Sequence, residues 1–118
     1  MEYFEKLYNK GWTNWKSFPD PREGEYLNVP FGSGVYQLRN GRIGKFILFG
    51  TGKNLAYRMS SLLPKPFGAG TRKNEDKSNY VLNNIQDIEY RTISFIDNDE
   101  AKRFEKYTKH KEEYLFNS

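Results

Sequence analysis

The segment from Gly34 to Gly50 constrains this chain more than any other. Gly34-Val35-Tyr36-Gln37-Leu38-Arg39 alternates in character and is rich in β-prone residues. Asn40-Gly41 follows, a dipeptide that tolerates the positive φ angles of a type I′ turn. Arg42-Ile43-Gly44-Lys45-Phe46-Ile47-Leu48-Phe49-Gly50 then runs back as a second strand. The pattern predicts a β-hairpin closed by a tight turn.

Leu55, Met59, Leu62 and Leu63 repeat at helical spacing, which predicts a helix from Asn54 to Leu63, stopped by Pro64 and Pro66. Lys65 to Lys77 reads as a long basic loop, and such loops in compact domains are usually functional or disordered. A short helix is expected from Ser78 to Ile85 and a third strand from Ile88 to Ile96. Asp97, with Glu100 in the capping-box position, starts a last helix predicted to reach about Tyr114. Its inner face is read as Ala101, Phe104, Thr108 and Leu115. Residues 1–32 read as an arm rich in aromatics and proline, with a helix at Glu2–Asn9, packing on a domain formed by residues 33–118. Trp12, Trp15 and Phe18 of that arm suit a core better than base stacking. The order β-β-α-(α)-β-α predicts an α+β domain with a small three-stranded antiparallel sheet flanked by helices.

With 118 residues and no cysteine, one domain is expected, without disulfides, thiolate zinc sites or a cysteine nucleophile. The N-terminal residues lack a basic-then-apolar leader, and Phe46 to Phe49 is too short to span a bilayer. An intracellular, cytoplasmic protein without a membrane partner is the default expectation. The net charge of +4 is unevenly spread. Between Ser33 and Asn79 nine basic residues (Arg39, Arg42, Lys45, Lys53, Arg58, Lys65, Arg72, Lys73, Lys77) face only Glu75 and Asp76. No carboxylate lies between Glu25 and Glu75. Cations without acidic neighbours in their own window turn to water or to an anion, and phosphate backbones are the commonest polyanion. Solubility alone is the competing explanation.

Gly34-Val35-Tyr36, Leu48-Phe49-Gly50, Asn54-Leu55-Ala56-Tyr57-Arg58-Met59, Glu100-Ala101-Lys102-Arg103-Phe104-Glu105 and Phe116-Asn117 occur in an order that resembles the motifs of the GIY-YIG nucleases. The resemblance implies a divalent-metal-dependent endonuclease acting on DNA with one Mg²⁺ or Mn²⁺. It assigns Tyr36, Arg58 and Glu105 as catalytic residues, Glu105 also as the metal ligand, and Asn117 as a supporting hydrogen-bonding residue. The residues themselves suit those tasks. A guanidinium clamps a phosphoryl group and never deprotonates. One carboxylate holds Mg²⁺ if water and phosphate complete the shell. A phenol orients water, and deprotonates it at neutral pH only with cations nearby. Arg39, Lys53, Lys65, Arg72, Lys73 and Lys77 are the candidate nucleic-acid contacts.

The chain departs from the family pattern where Leu48 replaces a tyrosine, Thr51 a frequent lysine, and Ser60–Leu63 a stretch that often holds histidine. Two other functions therefore stand beside the nuclease: a catalytically impaired nucleic-acid-binding module and a protein-interaction domain. Gly50-Thr51-Gly52-Lys53-Asn54 is not a phosphate loop, because Ile47 stands at the required glycine and Asn54 at the required Ser or Thr. The single histidine, His110, supports neither a Ser-His-Asp triad nor a zinc site.

Overall fold

The computed structural model describes residues 2–25, 27, 29, 32–63 and 75–116. The hairpin is present: β2 (Gly34–Asn40) pairs antiparallel with β3 (Lys45–Gly52). Its connection is not a two-residue type I′ turn. Asn40 Oδ1 accepts from the backbone N–H of Arg42 at 3.1 Å and of Ile43 at 3.3 Å, and Gly44 takes the positive φ of 70°. Asparagine's tendency to hydrogen-bond the backbone two residues on overrides the Asn-Gly preference and makes a wider loop. The register slips between Leu38 and Arg39, which pair with Leu48 and Phe46 and leave Ile47 as the extra residue of a bulge. Ile47 and Leu48 therefore both enter the same core.

The third strand, β4 (Ile88–Ser94), pairs with β2 on its other side. Among the described residues the sheet has four strands, not three. A two-residue strand, β1 (Lys16–Ser17), joins β4 and gives the antiparallel order β1-β4-β2-β3. Lys16 and Ser17 are polar and exposed, so no alternation announces them.

Helices cover both faces. On one, α2 (Leu55–Ser60) and α3 (Glu75–Asn83) contribute Leu55, Met59 and Val81 to a core with Tyr36, Leu38 and Leu48. On the other, α1 (Glu2–Lys10) and α4 (Asn98–Thr108) contribute Phe4, Tyr8, Ala101 and Phe104 against Val35, Phe49 and Ile93. Asp97 caps α4 through a 2.8 Å bond from the Asp99 N–H. The helix gives way to a 3-10 turn at Lys109–Lys111 instead of reaching Tyr114. Leu115, expected inside, is 47% exposed, because the chain has left the helix and lays the Leu115 and Phe116 N–H groups on the β3 carbonyls of Phe46 and Ile47.

A polar cluster sits within the α1/α4 side. Gln37 is fully buried, donates to the hydroxyls of Tyr8 (3.1 Å) and Tyr114 (2.6 Å), and accepts from Arg91 Nε at 2.7 Å. The Arg91 guanidinium lies 4.5 Å from the ring centroids of both Trp12 and Trp15. The arm's tryptophans are thus spent on the domain's own arginine. Phe104 has ring centroids of Phe4 and Phe95 at 5.5 and 5.4 Å and is completely buried. Phe104→Ala is expected to lower unfolding free energy by about 3–5 kcal/mol, the usual cost of truncating a core phenylalanine. Urea unfolding followed by tryptophan fluorescence measures it, and a loss under about 1 kcal/mol would contradict this packing.

Candidate nucleic-acid interface

The site is built where β2, β3, α2 and α4 meet. Tyr36 of β2 lies opposite Gly50 of β3, and a Cβ built on Gly50 would sit 2.5 Å from the Tyr36 ring carbon that bears the hydroxyl. Glycine is required there by space, since no positive φ is involved. Gly34 makes room in the same way: a Cβ would sit 2.6 Å from the Ile93 carbonyl oxygen and 3.0 Å from Leu55 Cδ2. On α2, Asn54 Oδ1 accepts from Tyr57 N–H at 3.1 Å and fixes the start of the helix. Leu55 and Met59 are buried, which leaves Arg58 half-buried beside Gly52.

Tyr36, Arg58 and Glu105 come together from three elements far apart in sequence. Tyr36 is 1% exposed, and its pKa is pushed up to about 12. Burial is the main cause. The Arg58 charge opposes it, Glu105 adds to it, and a hydrogen bond with Arg58 opposes it. At neutral pH the group is therefore an O–H that hydrogen-bonds and not a phenolate. Glu105 is mostly shielded, with 18% of its side chain exposed, and Lys109 Nζ stands 4.0 Å from it, the limit of an ion pair. Lys77, on α3, is held below the ordinary lysine range by burial and then by the charge of Arg58.

A cleft of about 440 Å³ opens beside Arg58, lined by Thr51, Gly52, Lys53, Asn54, Tyr57, Arg58, Asn98 and Lys102. Asn98 and Lys102 were not singled out from the sequence. They stand at i and i+4 with Glu105 at i+7, so one face of α4 carries all three. A second cleft, of about 400 Å³, lies by the hairpin turn between Gly44–Phe46 and Glu113–Leu115 and holds none of the candidate residues.

Arg39 is not brought to this site. It sits on the opposite side of the sheet from Tyr36, pairs with Glu89 at 2.7 Å and stacks on Trp15 at 4.0 Å. Arg42 likewise pairs with Asp87 at 3.1 Å. The carboxylate-free window thus finds partners from the β4 region for these two cations. Lys65, Arg72, Lys73 and Asn117 lie outside the described residues. Leu48 is wholly buried in the α2/α3 core, so the position where the resemblance expects a tyrosine serves packing.

Among the described residues, no group of three or more His, Cys, Asp or Glu side chains converges. Glu105 alone suits an ion such as Mg²⁺ that keeps several waters and takes one or two carboxylates. Among the described residues, no helix is long and apolar enough to cross a membrane. No protein-family model matches this chain, and no curated protein and no solved structure is detectably similar to it.

The Tyr36 environment has a pH consequence. The unfolded chain releases this proton near ~10, and the folded chain near 12. Between those values the unfolded state binds fewer protons, so stability falls as pH rises through that window. Phenolate absorbance of wild type minus Tyr36→Phe is expected to rise only near pH 12, and later still in an Arg58→Ala background. A difference signal that rises at the ordinary phenol value would contradict the burial of this group.

Proposed function

We propose that this chain is a divalent-metal-dependent endonuclease-like domain of GIY-YIG type, hydrolysing DNA phosphodiester bonds. The observation that carries the reading is that Arg58 of α2 and Glu105 of α4 both lie within electrostatic reach of Tyr36 on β2. In this proposal Arg58, backed by Lys77, faces the non-bridging phosphate oxygens and stabilises the charge they gain in the transition state. Lys53 and Lys102 hold the adjoining backbone. Tyr36 orients: its raised pKa favours positioning over deprotonation of water. Glu105 would hold a single Mg²⁺ or Mn²⁺, which when bound supplies positive charge to relieve the leaving oxygen.

One observation favours a second reading, a nucleic-acid-binding module that no longer cuts. Leu48 puts no hydroxyl near the site, and Tyr36 is closed off from solvent. That module would keep the cationic cleft and show steeply salt-dependent binding.

Nicking of supercoiled plasmid with Mg²⁺ or Mn²⁺ separates the two. Arg58→Ala and Glu105→Ala are expected to reduce nicking by roughly 10²–10³-fold, the usual loss when one transition-state contact is removed. Equal nicking by Arg58→Ala would overturn the nuclease reading. No nicking by wild type, with plasmid still shifted at low salt, would establish the binding module.

A further inference from the structure

The cleft beside Arg58 carries more than phosphate-binding charge. Tyr57 precedes Arg58 on α2 and lines the cleft with 63% of its surface open to solvent. Among the described tyrosines only Tyr3 is comparably exposed, while Tyr36 and Tyr90 are buried almost completely. Across the cleft stands Asn98, whose Oδ1 is shielded from solvent yet accepts no hydrogen bond from any described residue. A buried acceptor without a donor is costly, and an incoming N–H group would satisfy it. Lys53 and Lys102 are exposed on the rim, with Arg58 half-buried between them.

A ligand that answers all of these features has a flat π-face for Tyr57, an N–H donor for Asn98 and phosphates for the three cations. A nucleotide with an unpaired base has each. A paired base does not, because its faces are covered by its neighbours in the stack. We propose that this cleft is a subsite for one unpaired nucleotide of a DNA strand, adjoining the phosphate held by Arg58. The proposal rests on the nucleic-acid reading above and adds its substrate preference: DNA with a single-stranded overhang or flap, in place of a continuous duplex. Tyr57 supplies stacking, which tolerates any base. Asn98 supplies one hydrogen bond to the base edge.

Fluorescence anisotropy without divalent ions, on a duplex carrying a short single-stranded overhang and on its blunt counterpart, tests the subsite. Wild type is expected to prefer the overhang. Tyr57→Ala is expected to weaken overhang binding about tenfold, as for loss of one stacked base, and to leave the blunt duplex unchanged. Tyr57→Phe retains the preference, and Lys102→Gln weakens both substrates. Equal affinity of wild type for the two substrates would overturn the proposal. So would a Tyr57→Ala effect that is absent or the same on both, and so would binding to neither. A Tyr57-dependent preference in a protein that nicks no plasmid would sink the nuclease reading and leave the subsite standing.

Discussion

The seating of the Tyr36 ring across Gly50 is the contact on which the rest of the site depends. Any side chain at residue 50 would occupy the space of the ring carbon that carries the hydroxyl, 2.5 Å from a built Cβ. With the space free, the ring packs into the α2/α3 core while its hydroxyl stays within electrostatic reach of Arg58. A similar absence at Gly34 lets Leu55 approach the sheet, and this sets the position of α2 and of the arginine one turn along it. Two glycines thus turn an ordinary hairpin and a six-residue helix into a junction where a buried phenol feels both a guanidinium and a carboxylate.

The two sides of the sheet divide the cations between structure and surface. On the α1/α4 side, Arg39 and Arg91 are enclosed by Trp12, Trp15 and Tyr8 or paired with Glu89, and they hold the N-terminal segment to the domain. At the site, Lys77 is held below its ordinary range first by burial and then by the charge of Arg58. Paired charge anchors the fold on one side, and like charges brought near one another at the site favour an anion there. The net surplus in the sequence window could not distinguish these uses, because the partners Asp87 and Glu89 lie well beyond it in sequence.

Much of the fold was legible because it rests on periodicity. The β2–β3 hairpin, the Leu55–Met59 stripe and the buried face of Ala101, Phe104 and Thr108 all follow from it. What was not legible rests on single side chains or on long-range pairing. Asn40 re-closes the turn with its own carbonyl oxygen, Ile47 is set aside as a bulge, and β1 is two polar residues recruited by an existing edge. The end of α4 escaped because the chain turns to cover the edge of β3. Of the candidate site, Tyr36, Arg58 and Glu105 stood out through their motif positions. Asn98 and Lys102 would have been found by following the Glu105 face back along α4 at helical spacing. Nothing in the sequence marked Tyr57, which stands out only because it lines the cleft beside Arg58.

In the proposed nuclease, Glu105 holds a divalent ion beside Tyr36 and Arg58. Anomalous diffraction from crystals grown with Mn²⁺ tests it most directly. One manganese peak is expected at the Glu105 carboxylate, lost in Glu105→Gln with the rest of the structure intact. Manganese bound instead at Glu112 or Glu113, with none at Glu105, would contradict it.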